Sequence, residues 1–203
     1  TAPCVAYTAF RLAALNPKAT FVVAPSDHIV LKEQAFLDKI STALHFAATH
    51  DALLTLGIEP SRPDTGYGYI QFGEEVSAGI RKVVRFTEKP NAEFARQFLD
   101  SGDYLWNAGI FIWSVQSILK AFQTHAGGIY DLLAAGMDAY NTPQEADFIA
   151  RTYPLTPNIS VDFAIMEKAP NVYTLPAEFG WSDLGTWASL HAECPKDPQG
   201  NVL

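Results

Sequence analysis

The sequence predicts an α/β fold: one mixed, mostly parallel sheet flanked by helices, within a single domain. Three observations carry that expectation. The runs TFVVA (Thr20 to Ala24) and LLTL (Leu53 to Leu56) are short and mostly apolar, as strands buried on both faces are. Between them, Leu31 to His50 places Phe36, Leu37, Ile40, Leu44 and Phe46 on roughly one side of a long amphipathic helix. Strand, helix, strand in that order is a βαβ unit and implies parallel strands. Beyond Pro60, strand-like segments follow one another without helices between them, which makes the sheet mixed.

Taken in order, an Ala-rich run with Val5, Phe10, Leu12 and Leu15 predicts a first helix that Asn16-Pro17 ends. After the βαβ unit, Tyr67 to Phe72 and Ile80 to Thr87 read as strands joined by a Gly/Glu/Ser turn region. Asn91 to Asp100 reads as a helix, Gly109 to Trp113 as a strand and Val115 to Thr124 as a helix. A mainly helical stretch from Tyr130 to Tyr153 precedes a short helix over Ser160 to Lys168. A strand over Val172 to Leu175 and a helix over Leu184 to His191 close the series.

Composition narrows the function classes. The 203 residues are 48% hydrophobic and 18% charged, the balance of an ordinary globular chain. A net charge of −8 argues against a nucleic-acid surface, which would show a basic stripe. It leaves room for phosphate ligands held by a few cations, by backbone N–H groups and by a divalent ion that acidic groups recruit. Cys4 and Cys194 lie far apart, so neither a disulfide framework nor a zinc site follows, and a reducing cytoplasm is the expectation. No apolar run reaches the roughly 18 residues of a membrane span, and nothing resembles a secretory signal. The chain opens TAPC, without Met and inside a helical pattern, and closes GNVL, so it is expected to be cut from something longer.

Five short stretches carry residues suited to chemistry, each with a plainer alternative. VVAPSDH sets Asp27 just past the carboxyl end of a buried strand, where ligands bind in open α/β sheets. Ser26 or Asp27 could equally cap the following helix. In PDTGYGYI, Gly66 and Gly68 around Tyr67 let backbone approach a ligand beside an aromatic face; a tight strand entry would serve as well. FTEKP offers Glu88 for sugar hydroxyls and Lys89 for a phosphate, or a solvated surface pair. WNAGIF offers the Asn107 amide ahead of Gly109, or an Asx turn. FGWSDLGTW holds Asp183 between Gly180, Trp181 and Gly185. Paired with Asp27 it could bind Mg²⁺; alone it could be a helix cap.

Together and in this order, APSDH, TGYGYI, FTEKP, WNAGIF, ISVDFAIMEK and FGWSDLGTW resemble the mannose-1-phosphate guanylyltransferases (GDP-mannose pyrophosphorylases) of the sugar nucleotidyltransferase superfamily. The resemblance runs from Ala24 to Trp187. It implies a Rossmann-like fold of the nucleotide-diphospho-sugar transferase type, with residues 1–203 forming the central and C-terminal part of the catalytic domain. It implies Mg²⁺-dependent transfer from GTP to mannose 1-phosphate, giving GDP-mannose and pyrophosphate. Asp27 and Asp183 become the metal carboxylates. Gly66, Glu88 and Asn107, with Tyr67, Gly68, Gly109 and Asp162, line the sugar side, and Lys89 meets the sugar phosphate. The family's opening G-G-x-G-x-R loop and its first strands do not occur in this sequence. A sheet lacking those strands would expose an edge, which predicts association of copies into a homo-oligomer. The alternatives are a nucleotidyltransferase for another hexose 1-phosphate and a non-catalytic sugar-nucleotide-binding subunit or sensor.

Overall fold

A computed structural model of the chain describes residues 1–202. Helix α1 (Ala2–Leu15) ends at Asn16, whose backbone is extended as the following proline demands. Strand β1 (Thr20–Val23) and the two-residue β2 (Ile29–Val30) flank the loop that holds Asp27. Helix α2 (Glu33–Thr49), β3 (Leu53–Ile58), β4 (Tyr69–Ser77) and β5 (Ile80–Thr87) follow. Next come α3 (Ala92–Ser101), β6 (Tyr104–Ser114), α4 (Val115–His125), α5 (Gly127–Ala134) and α6 (Glu145–Thr152). A wide turn of π type over Asp162–Met166, β7 (Val172–Pro176), β8 (Trp181–Ser182) and α7 (Trp187–Glu193) complete the described chain.

The sheet is mixed but not mostly parallel. Its order is β1-β6-β3-β7-β5-β4, and β4 also pairs with β6. Only β3–β7 is parallel among the described pairings; β1–β6, β3–β6, β4–β5, β4–β6 and β5–β7 all run antiparallel. The βαβ unit does form, and its two strands share a direction. They are not neighbours, because β6 lies antiparallel between β1 and β3. Apolar periodicity reports that a strand is buried, not which strand it meets. The eleven-residue β6, buried along almost its whole length, takes the central place.

The pairings β6–β3–β7–β5–β4–β6 close a circuit, with β1 attached outside it. Two cores cover the faces. On one, α1, α4 and α5 bury Ala6, Phe10, Phe122 and Leu133 against Leu53, Phe111 and Trp113. On the other, Phe46 and Ala43 of α2 meet Leu54, Leu56, Ile110, Ile112 and Phe179. Each fully buried Leu or Ile contributes about 1.5–3 kcal/mol from apolar area removed from water. Asn91 and Ser114 cap α3 and α4, accepting from the N–H of Phe94 and of Ser117. A third cluster of Tyr69, Ala95, Phe98, Tyr104 and Trp106 packs against Tyr67 and Trp181, beside the candidate site.

Candidate active site

Between β3 and β6 the register slips: Thr55 faces Phe111, but Gly57 faces Asn107. Four steps along β6 oppose two along β3, so β6 bulges over Ala108 to Ile110. Gly109 takes φ +69° there, a conformation that favours glycine. The bulge turns the Asn107 side chain out of the ladder. Its Oδ1 accepts from Thr55 Oγ1 at 2.7 Å and from the Gly109 N–H at 3.2 Å, while Nδ2 donates to Asp162 Oδ1 at 3.0 Å. The Asx contact expected of the plainer alternative is therefore present, within the strand, and the other end of the amide is directed at a carboxylate.

That carboxylate sits on the π-type turn, where the Glu167 N–H reaches back five residues to the Asp162 carbonyl at 3.0 Å. Glu167 also accepts the Glu88 backbone N–H at 2.9 Å, tying the end of β5 to the turn. The Glu88 side chain is only 10% exposed, whereas that of Lys89 is 62% exposed, and Lys89 Nζ lies 3.5 Å from Glu88 Oε1. The two are thus not an ordinary solvated pair. Burial, then the negative charge of Asp162, lifts the Glu88 carboxyl to about 7 against the pull of Lys89. Burial also raises the Asp162 carboxyl. Lys89 itself has φ +47°, strained backbone for a non-glycine residue.

Gly68 makes room for this group: a Cβ there would lie 2.5 Å from Glu88 Oε2. Its carbonyl accepts the Asn107 N–H at 2.8 Å, which continues the β4–β6 ladder past Tyr69 and Trp106. Upstream, Asp64 accepts from the Gly66 N–H at 2.8 Å and pairs with Arg62 at 2.7 Å. The Arg62 guanidinium lies over Trp106, 5.1 Å from its ring centroid. Tyr67 packs edge-on against Trp106 and Trp181 at 4.9 and 5.4 Å. Its hydroxyl donates to Asp183 Oδ1 at 2.9 Å, and burial together with that carboxylate lifts it to about 12. At neutral pH Tyr67 is therefore a fixed donor.

The β2–β8 ladder pairs Ile29 with Ser182 and Val30 with Trp181. His28, just before β2, and Asp183, just after β8, are thereby brought to the same hollow. Trp181 Nε1 donates to His28 Nδ1 at 3.1 Å, which locks the two loops. Gly180, at φ +65°, lets β8 pass Leu31, whose Cβ would be 2.7 Å from any Cβ at this position. The capping alternatives do not apply to either carboxylate. Helix α2 starts at Glu33 with Lys32 as its N-cap, and α7 is capped by Thr186. Asp183 Oδ1 instead accepts from the Gly185 N–H at 3.0 Å.

One hollow of about 200 Å³ is lined by Gly66, Tyr67, Gly68, Glu88, Lys89, Asn107, Gly109, Asp162 and Asp183, with His28, Ala108 and Trp181. Nine of the ten site residues expected from the sequence meet there. Asp27 is exposed on the β1–β2 loop and does not line it; its neighbour His28 does. A larger hollow of about 650 Å³ shares only Trp181 with this one and contains none of the ten. The residues expected from the sequence gather in the smaller. Sequence reasoning missed Thr55, Glu167, His28 and the Arg62–Asp64 pair. The one usable signal was Thr55, a lone hydroxyl inside an otherwise apolar strand.

Residues 1–200 match the family model described as nucleotidyl transferase. The alginate biosynthesis protein AlgA of Pseudomonas aeruginosa is 33% identical over 207 residues, covering 100% of this chain and 42% of that protein. The mannose-1-phosphate guanylyltransferase of Salmonella montevideo is 36% identical over 211 residues, covering 100% of this chain and 44% of its own length. This chain thus spans less than half the length of the curated relatives it matches. Among solved structures, the mannose-1-phosphate geranyltransferase of Thermus thermophilus superposes with a TM-score of 0.83 at 28% identity, over 98% of this chain and 56% of that one. The mannose-6-phosphate isomerase of Helicobacter pylori, at TM-score 0.72 and 24% identity over 90% of this chain and 70% of its own, shares the fold. With a family match over residues 1–200 and relatives above 30% identity across the whole chain, this protein belongs to the nucleotidyl transferase family.

Proposed function

We propose that this chain supplies the sugar-phosphate side of a site that transfers a nucleotidyl group from GTP to mannose 1-phosphate, giving GDP-mannose and pyrophosphate. The observation that carries the proposal is the convergence of Glu88, Lys89, Asn107, Asp162 and Asp183 on one 200 Å³ hollow. A phosphate oxygen of mannose 1-phosphate attacks the α-phosphorus of GTP. The bond from that phosphorus to the bridging oxygen breaks, and pyrophosphate leaves with the electron pair. No proton needs to move, so the protein's task is positioning and charge neutralisation. Glu88 accepts from sugar hydroxyls, Asn107 Nδ2 donates, and the exposed Lys89 ammonium meets the sugar phosphate.

The donor chemistry fits a hard divalent cation. Among the described residues no group of three or more His, Cys, Asp or Glu is gathered as a metal cage. Mg²⁺ takes one or two carboxylates and fills its shell with waters and substrate phosphates. Asp183 Oδ1 already accepts two hydrogen bonds, leaving Oδ2 for a cation, and a side chain at position 185 would press on that oxygen at 2.7 Å. Asp27 would supply the second carboxylate. Bound there, Mg²⁺ would offset the charge of the reacting phosphates.

The test follows GTP release from GDP-mannose and pyrophosphate, with Mg²⁺ and with EDTA, in the protein carrying the Gly-rich segment that the family resemblance places ahead of this one. Release that needs Mg²⁺ and is lost in Asp183→Asn supports the proposal. Undiminished turnover in Asp183→Asn overturns the assignment.

A further inference from the structure

Thr55 is fully buried in the middle of β3, and its hydroxyl has one hydrogen to give. Three acceptors surround it: Asn107 Oδ1 at 2.7 Å, the Ile110 carbonyl at 3.2 Å and the Leu56 carbonyl at 3.4 Å. The shortest contact is to the amide. From the other side, the Gly109 N–H also points at Oδ1, and a backbone N–H can only donate. The Gly109 N–H therefore fixes that end as oxygen, and the Thr55 hydroxyl, 2.7 Å away, is placed to give it a second hydrogen bond. The opposite end must be the NH₂ group. One of its hydrogens goes to Asp162 Oδ1, and the second is available to the hollow that Asn107 lines.

We infer that Thr55 is a positioning residue that holds the Asn107 amide in this orientation from across the sheet, so that the site presents a hydrogen-bond donor, not an acceptor, to one sugar hydroxyl. The inference rests on the proposed sugar-phosphate site but concerns a residue that touches no ligand. Turned over, the amide would put its oxygen against the Asp162 carboxylate and its NH₂ against the Gly109 N–H. Both contacts are repulsive, so the pattern is self-consistent in one orientation only. A site built this way rejects a hydroxyl whose position or lone pairs do not match, because the second Nδ2 hydrogen would be left unpaired on burial. Epimers that differ at a single hydroxyl are the substrates such a device separates.

The test uses this chain with Thr55→Val, which keeps the shape and removes the hydroxyl, and Thr55→Ser, which keeps the hydroxyl. Titration calorimetry with mannose 1-phosphate and glucose 1-phosphate gives the affinity ratio of the two epimers. Loss of one buried hydrogen bond predicts that Thr55→Val lowers the ratio by about fivefold to tenfold, and that Thr55→Ser restores it. A merely structural role would weaken both sugars alike and leave the ratio unchanged, which would overturn the inference. A ligand-free readout stands beside it: the side-chain NH₂ resonances of Asn107, assigned by their loss in Asn107→Asp. They should shift or broaden in Thr55→Val and return in Thr55→Ser. If they are unmoved in Thr55→Val, Thr55 does not orient the amide, whatever the sugar result. If the wild-type chain binds neither sugar yet the resonances respond, the positioning role stands and the proposed substrate is wrong.

Discussion

At the scale of single residues, the site is a set of groups whose neighbours leave them little freedom. Tyr67 donates to Asp183 and cannot ionise near neutrality, so it acts as an orienting partner of a carboxylate. Replacing Tyr67 by Phe keeps the ring contacts and removes that donor. If Asp183 holds Mg²⁺ as proposed, the Mg²⁺ concentration giving half-maximal turnover should rise about tenfold, the usual cost of removing a partner of a metal ligand; an unchanged Mg²⁺ titration would count against it. Glu88 gives a pH-dependent prediction. Its carboxyl titrates near 7 in the fold against an ordinary value of 4.5, because burial disfavours the charge. Between those values the folded chain holds a proton that the unfolded chain has lost. Stability from this group therefore falls as pH rises from about 4.5 to about 7. Urea unfolding should show Glu88→Gln gaining on wild type across that window, by no more than about 3 kcal/mol. A difference that is flat with pH would refute the buried-carboxyl account.

At the scale of elements, the two shortest strands matter most. The β2–β8 pairing has only two residue pairs, yet it connects the loop of Asp27 to the loop of Asp183. It depends on Gly180, whose positive φ and contact with Leu31 exclude any side chain. Gly180→Ala should cost about 1–3 kcal/mol of stability by urea unfolding, through backbone strain and overpacking; wild-type stability would show that the ladder is not held as described. Much of the element pattern was legible in the sequence. The helices and buried strands announce themselves by apolar spacing, and GWSDLG and WNAG betray glycine-dependent backbone. The partners of the strands were not legible. Nothing local to YLWNAGIFIWS says that it inserts between β1 and β3, and a two-residue strand such as Trp181–Ser182 has no period to read. For the same reason the motifs could be found while a support such as Glu167 could not, and the lone Thr55 hydroxyl could be noticed but not given a partner: a support is defined by what it meets in the fold.

At the scale of the molecule, the closed circuit of five strands leaves β1 as the strand with one unpaired side among the described residues of this sheet. Unpaired N–H and C=O groups along such an edge template association with another chain. Light scattering on this chain should therefore show a mass that climbs with concentration, and a constant monomer mass would contradict that expectation. The circuit also explains how residues from positions 28 to 183 share one hollow. The start of β4, the end of β5, the bulge inside β6, the π-type turn before β7 and the flanks of the β2–β8 ladder all line it. No helix among the described residues is long and apolar enough to cross a membrane.

The most direct measurement is titration of mannose 1-phosphate into this chain by calorimetry, for wild type and for Lys89→Met. The account predicts saturable one-site binding, weakened about tenfold or more in Lys89→Met, because a charge-assisted contact to phosphate is lost. Absence of saturable binding, or equal affinity in the two proteins, would contradict the claim that this hollow receives the sugar phosphate.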